Sequence, residues 1–439
     1  MKKMALCIVE LILSCTFAAG QQYKVLWSFT GGLDGGYPAA NLIFDPAGNL
    51  YGTTQYGGTA GGGTVFELSP QPDGGWTESV LYSFCSDQEG NICLDGSLPS
   101  AGLVLDPAGN IYGTTFNGGN TSCPGDIQGC GTVFELSPPT VPGGFWTKFV
   151  LYNFCSDLGA GNRCLDGSYP LSQLVVDADG NLYGTTLDGG SGRPTEYDGG
   201  GTVFELSPEG NGWMKSVLYN FCSVGQRPHA CQDGSGPEAG ITFDKSGKIY
   251  GTTEYGGQLD AGTVYRLSPK ANGWTETVLG NGGSNRGYPV GAVSIDPRGS
   301  LYGTASRGGS SGGGAVFRLT EDGGAAVLFF DSSNGGYLPA AGVLLDPSHR
   351  ALYGTTEEGG TGWGNVYEIV PPAQMTSLYS FCSQSNCTDG ASPVAGLIED
   401  SVGNLYGTAK LGGTGTRCGS GGCGVVFEIV RSPTSPRRP

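Results

Sequence analysis

One hexapeptide constrains this chain more than any other feature. Asn-Leu-Tyr-Gly-Thr-Thr stands at Asn49–Thr54 and returns, with substitutions, as Asn110–Thr115, Asn181–Thr186, Lys248–Thr253, Ser300–Ala305, Ala351–Thr356 and Asn404–Ala409. Its tyrosines lie 51 to 71 residues apart. Each copy ends near a Gly-Gly pair, such as Gly57-Gly58 or Gly189-Gly190, and leads into Gly-Thr-Val-Phe-Glu-Leu or a variant. A unit repeated in this way cannot bury its apolar face alone and must stack on its neighbours. At 439 residues the chain is long enough for two or three ordinary domains, but a repeat array can be one domain at this length.

Each period holds four strand-like runs, labelled A to D. The first cycle is Ala40–Asp45, Asn49–Thr54, Thr64–Ser69 and Glu78–Phe84, and the second is Ala101–Asp106, Asn110–Thr115, Thr132–Ser137 and Lys148–Phe154. Run A is almost continuously apolar, as in Gly-Leu-Val-Leu at 102–105, which suits burial on both faces. Run D alternates, with Val80, Tyr82 and Phe84 on one side and Ser79, Leu81 and Ser83 on the other, as a half-exposed strand does. A is therefore expected innermost and D outermost. The last cycle ends at Val425–Val430 without a D run, while a D-like run, Tyr23–Phe29, stands alone before the first cycle. Seven four-stranded antiparallel units predict an all-β, seven-bladed β-propeller, its ring closed by strand 23–29 pairing with the last blade.

The connections agree. Asp-Pro-Ala-Gly-Asn at 45–49 and 106–110 reads as a tight A–B turn, with Asp opening it, Pro presetting φ and Gly taking the left-handed position. The tryptophans of the C–D links, Trp76, Trp213 and Trp274, read as outer packing, with carbohydrate stacking as the functional alternative.

Composition narrows the class of partner. A net charge of −17 disfavours phosphate backbones and anionic membranes, so nucleic acid is not an expected partner. Residues 1–20 read as a signal peptide: Lys2 and Lys3, an apolar run interrupted by Glu10, then Ala18-Ala19-Gly20. Lipid attachment at Cys15 competes, but Ile12-Leu13-Ser14-Cys15 is a poor lipobox. No later segment has the length and apolarity of a membrane span. The expected organisation is a leader at 1–20, one propeller at 21–431 and a disordered tail at 432–439, secreted or otherwise extracytoplasmic and monomeric.

Twelve cysteines remain beyond the leader, in six close pairs. Cys85/Cys93, Cys155/Cys164, Cys222/Cys231 and Cys382/Cys387 occupy equivalent places, and Cys123/Cys130 and Cys418/Cys423 sit in another loop. The repeats leading into Gly287-Tyr288 and Gly336-Tyr337 lack both members of the pair. Paired presence and paired absence predict disulfides. Zinc is the competing reading, but there are only two histidines and no two-plus-two cysteine grouping.

In such blades the D–A and B–C loops share one face, which here carries every mature cysteine pair and most of the length variation. Elaborated loops on a rigid scaffold are where ligands bind, so this face is the candidate site. It carries an acidic series, Asp34, Asp95, Asp166, Asp233 and Asp389, each before Gly and ahead of an inner strand, with Asp87, Asp157 and Glu254 nearby. Such a ring at the channel mouth can hold Ca²⁺ or saccharide hydroxyls. The plainer reading, that each blade needs the same Asp-Gly turn, is preferred because repeated residues serve the repeat first. His229 and His349 are assigned to opposite faces and cannot share a site. No spacing singles out two acids for glycoside hydrolysis, and Gly61-Gly62-Gly63 lacks the Lys-Ser/Thr of a phosphate loop. Asn120-Thr121-Ser122 and Asn386-Cys387-Thr388 sit on exposed loops and would matter for glycosylation only in a eukaryotic secretory pathway.

Taken together, Asn-Leu-Tyr-Gly-Thr-Thr-x-x-Gly-Gly and Gly-Thr-Val-Phe-Glu-Leu resemble the Gloeo/Verruco (GloVer) repeat of bacterial extracytoplasmic proteins, over Tyr23–Val430. The resemblance implies secretion or surface display and a propeller-like fold, and brings no reaction, cofactor or catalytic residue. Many such proteins carry a C-terminal anchoring segment, which Arg431–Pro439 does not match. The Gly-Gly pair is also similar to that of kelch propellers, including copper oxidases, but no His/Tyr/Cys copper set is present. The expected function is a binding module for an extracellular glycan or protein. The alternative is a carbohydrate-active hydrolase or lyase using acids of the same face.

Overall fold

A computed structural model of the chain describes residues 22–431, apart from 120–122, 125–127, 142, 193–198, 226–230, 284–286, 310, 321–322, 331–334, 349 and 371–373. The expected leader and tail, and both histidines, lie outside the described residues. Seven antiparallel sheets run A-B-C-D outward in chain order. Blade 1 is Ile43–Phe44, Leu50–Thr54, Thr64–Pro70 and Trp76–Ser83. In blade 7, Ile398–Glu399, Leu405–Ala409 and Val425–Val430 take Gln22–Ser28 as their D strand, in register from Gln22↔Val430 to Ser28↔Val425. The ring is a seven-bladed β-propeller closed by its N-terminal strand, as the sequence predicts.

The hexapeptide explains itself position by position. In blade 1, Asn49 donates from Nδ2 to Asp45 Oδ2 at 2.8 Å, while Asp45 Oδ1 accepts the amides of Ala47 and Asn49, closing the A–B turn. Leu50 enters the core. The Tyr51 hydroxyl lies 3.2 Å from Asp45 Oδ2 and 3.0 Å from Glu67 Oε1, tying turn to strand C. At Gly52 a Cβ would stand 2.6 Å from Phe66 Cζ and 2.9 Å from Leu42 Cδ2, so the ring of strand C lies flat against bare backbone. Thr53 donates to the carbonyl of Ala101 in the next blade, and the same bond recurs at every blade boundary, ending with Thr408 to Ala40 across the closure. Thr54 pairs its hydroxyl with Thr64 at 2.8 Å.

The core lies between blades rather than within them. Tyr51, Val65 and Phe84 of blade 1 pack on Leu103, Ile111, Phe134 and Leu136 of blade 2, and equivalent clusters fill the other interfaces. In six of the seven blades the aromatic that ends the D run meets the ring of strand C in the next blade, as in Phe84–Phe134 at 5.1 Å and Phe154–Phe204 at 5.2 Å, in the edge-to-face geometry aromatic pairs favour. Trp76, Trp213 and Trp274 pack against these clusters from outside, the first of their two expected roles, and Trp146 does the same in blade 2.

Two local expectations need correction. Every C–D ladder shifts register at one place, between Val65 and Phe66 in blade 1 and at the equivalent pair in the other six. The bulge turns Leu81 inward beside Tyr82 and leaves Val80 36% exposed, so D does not alternate as read. Strand A pairs over two residues only and is not buried on both faces: Leu103 is buried, while Val104 lines the channel. The crowding of seven strands at one axis leaves little length for regular pairing.

Candidate functional site

The seven A segments enclose a central cavity of about 520 Å³. Its wall is mostly Ala, Gly and Val, because each blade contributes Pro followed by small residues, as in Pro99-Ser100-Ala101-Gly102. Two longer side chains cross it. Asn41 donates from Nδ2 to Gln173 Oε1 at 3.3 Å, Gln173 donates to the Leu103 carbonyl, and Asn41 Oδ1 accepts the Gly396 amide. Four blades thus meet over one amide bridge.

A ring of left-handed residues surrounds the mouth on the disulfide-bearing face. Tyr37, Leu98, Tyr169, Tyr288, Leu338 and Ser392 all have φ between 55° and 59°, with Gly236 at 66°, and each precedes a proline. The conformation aims the amide of Tyr37 at the Cys423 carbonyl and that of Leu98 at the Gly62 carbonyl, linking each blade to the one before it. Strain held in place by surrounding bonds is a feature of functional rims. The prolines at 38, 99, 170, 237, 289, 339 and 393 are the signal that could have revealed this ring from sequence.

All six predicted cysteine pairs are bonded: Cys85–Cys93, Cys123–Cys130, Cys155–Cys164, Cys222–Cys231, Cys382–Cys387 and Cys418–Cys423. The sulfurs of Cys130, Cys155 and Cys164 cluster because two of these disulfides abut, with Cys130 Sγ 3.9 Å from Cys164 Sγ. Bonded sulfurs are not thiolates, so the cluster is no ligand set. Cys387 is already bonded within Asn386-Cys387-Thr388, and Asn120 and Ser122 lie outside the described residues.

The five aspartates do not line the central cavity. Asp95, Asp166, Asp233 and Asp389 are each at most 6% exposed. Asp95 Oδ2 accepts Tyr82 Oη at 2.8 Å, the Ser86 amide at 3.0 Å and Ser86 Oγ at 2.8 Å. Asp233 accepts Tyr219 and both groups of Ser223, and Asp389 accepts Tyr379 and both groups of Ser383, in the same manner, while Asp166 accepts Tyr152 and the Ser156 amide alone. Burial raises the pKa of Asp389, but the bonds from Tyr379 and Ser383 outweigh it and hold the carboxyl below its ordinary value. Asp34 is half-buried and accepts the Thr30 amide and hydroxyl. Each carboxylate thus fastens its own D–A loop, and the structure does not bring the five together.

Other acids do converge at the mouth. Glu238, in the wall of the cavity, lies beside Glu254, with Asp188 nearby. Burial, then Glu254, raises the pKa of Glu238 to about 7. Glu254 stands among the acids the sequence assigns to this face and Glu238 does not; its signal is Glu where the other blades carry Ala39, Ser100, Leu171, Val290, Ala340 and Val394. Exposed aromatics share this rim, with Tyr56 49% and Tyr255 45% exposed. Tyr56 packs edge-on to Tyr37, and Tyr255 to Tyr288.

A sequence profile of the Gloeobacter/Verrucomicrobia repeat matches residues 12–231 and 229–427. No curated protein matches the sequence. Among solved structures, the chain is similar to PorZ, a bacterial surface component of the type-IX secretion system of Porphyromonas gingivalis, at 14% identity and a TM-score of 0.40. The alignment covers 82% of this chain and 43% of PorZ, so the chain spans less than half of that protein. It is also similar to the periplasmic gluconolactonase PpgL of Pseudomonas aeruginosa, at 16% identity and a TM-score of 0.45, over 78% of this chain and 84% of that one.

Proposed function

Since the chain belongs to the Gloeobacter/Verrucomicrobia repeat family, we propose that it is a secreted propeller that binds an extracellular glycan or protein through its disulfide-bearing rim. The observation that carries this reading is the one-sidedness of the reinforcement. All six disulfides brace D–A and B–C loops, while the opposite rim is built of near-identical Asp turns. Braced loops lose less conformational entropy when a ligand orders them, so bracing one rim favours binding there. Six disulfides suit an oxidising, extracytoplasmic environment. Among the described residues no helix is long and apolar enough to cross a membrane. Asp34, Asp95, Asp166, Asp233 and Asp389 enter the proposal as residues that position these loops, with direct Ca²⁺ or hydroxyl binding as the competing role.

The second reading is a carbohydrate-active enzyme, which the Glu238–Glu254 pair favours. That pair stands in blade 4 alone, whereas the disulfide bracing recurs around the rim. Binding is therefore the preferred function. A thermal-shift screen of the protein against Ca²⁺, chelator, soluble glycans and candidate proteins tests it. A saturable rise in melting temperature without turnover supports the module. Product release lost in Glu238→Gln would replace it with the enzyme, no shift with any glycan would remove the glycan arm, and no shift with the proteins either would overturn the reading.

A further inference from the structure

Blade 4 departs from the repeat at the outer end of its D strand. Where blade 1 has Tyr82, Phe84 and Cys85, blade 4 has Gly280, Gly282 and Gly283, aligned by the pairing of Val65 with Tyr82 and of Val264 with Gly280. The aromatic contact that joins neighbouring blades elsewhere is thereby lost at this boundary, and a gap of about 110 Å³ opens beside Gly280 and Phe317. Above it, on the disulfide-bearing rim, lies a cleft of about 340 Å³. No cysteine pair closes the loop here, and Gly283, Gly287, Gly308, Gly309 and Gly312 put no side chain into the opening. The volume is in the range of small-ligand sites.

Three side chains give the cleft its chemistry. Tyr288 lines it, with Tyr255 edge-on at 6.0 Å between ring centroids. Arg307 holds its guanidinium 5.6 Å from the centre of the Tyr288 ring. Its place is fixed by a strand B that runs to residue 307 in this blade, pairing Gly287 with Arg307. Among the described residues Arg307 has no carboxylate partner, although the chain carries 39 acids against 22 Lys and Arg. A guanidinium stacked on an aromatic ring is preorganised and keeps its edge N–H groups for a planar carboxylate. The ring faces beside it suit the C–H face of a pyranose. The equivalent positions elsewhere are Tyr56, Asn117, Asp188, Tyr255, Glu358 and Leu411, so the repeat itself does not require arginine there.

Resting on the binding reading above, we propose that the cleft between blades 4 and 5 binds a uronic-acid residue of an acidic glycan, its carboxylate on Arg307 and its ring on Tyr288 and Tyr255. Calorimetric titration of the protein with a galacturonate trisaccharide and with its methyl ester tests this. The acid is expected to bind at least about tenfold more tightly than the ester, and Arg307→Ala to weaken the acid about tenfold while leaving the ester unchanged. Arg307→Lys should recover only part of the loss, and Phe145→Ala, on the opposite rim, should leave the affinity for the acid unchanged. Arg307 is exposed, so an unchanged melting temperature certifies the variant. Equal affinity for acid and ester, or an indifferent Arg307→Ala, overturns the proposal. Binding of neutral glycans or a protein at this rim without binding of the acid overturns it too, and leaves the binding module standing.

Discussion

The hydroxyl pair that ends the hexapeptide gives a prediction with an internal control. In blade 3, Thr186 and Thr202 are fully buried and face each other across the B–C ladder. Thr186 Oγ1 donates to the Asp188 carbonyl at 3.0 Å and lies 2.9 Å from Thr202 Oγ1, whose proton it accepts; it also accepts the Thr202 amide at 3.1 Å. Thr202→Ala removes one donor and strands nothing, for a cost of about 0.5–1.5 kcal/mol. Thr186→Ala strands the Thr202 hydroxyl, while the Thr202 amide keeps its ladder partner on the Thr186 main chain, for about 1–3 kcal/mol. In the double variant the stranded hydroxyl is gone, so its cost should fall short of the sum by about 1–2 kcal/mol. The chain already contains the double replacement, as Ala305 opposite Ala315 and Ala409 opposite Val425, and never a threonine opposite an alanine. Urea unfolding of the four proteins at constant m measures the coupling. Thr186→Ser, which keeps the hydroxyl, should lose no more than about 0.8 kcal/mol for its methyl group. Additivity within about 0.5 kcal/mol, or a Thr186→Ser as damaging as Thr186→Ala, would refute the argument.

Three further outcomes are expected. Gly113→Ala would place a Cβ 2.6 Å from Phe134 Cζ, and equilibrium unfolding should show a loss of about 1–3 kcal/mol; a neutral substitution would mean that the ring has room to move. Burial, then Asp34 or Asp233, lifts Glu78 and Glu276 to about 7, above their unfolded value of 4.5. Their contribution is fully present below the unfolded value and lost as pH rises through about 7, so the melting temperature should fall across that window and fall less in Glu78→Gln/Glu276→Gln; parallel profiles would count against the assignment. Deleting residues 22–28 would bare the edge of Val425–Val430 and remove Tyr23 from its stack on Tyr379 at 3.7 Å, so light scattering should find dimers or aggregates; a monomer of unchanged stability would contradict ring closure as its role.

Much of the molecule is written in the chain because its contacts are either local or repeated. The blade count, the closing strand and the six disulfides follow from matching like with like along the sequence: Tyr23–Phe29 is a D strand in search of a sheet, and cysteines that come and go in pairs are bonded in pairs. The A–B turns are legible for the same reason, since Asp45 and Asn49 answer each other four residues apart. Tertiary structure alone decided the rest. That Leu81 turns inward follows from a bulge that a strict two-residue period cannot register. That Asp95, Asp166, Asp233 and Asp389 end up inside their own loops depends on tyrosines and serines 6 to 14 residues away folding back onto them. The meeting of Asn41 with Gln173 arises only when the ring closes on its axis, while Glu238 meets Glu254 and Arg307 meets Tyr288 because the end of strand B runs back beside the segment that precedes strand A in the same blade. A repeat records what every blade needs; what a single blade does differently acquires meaning from its neighbours in space, and those are fixed by packing rather than by order along the chain.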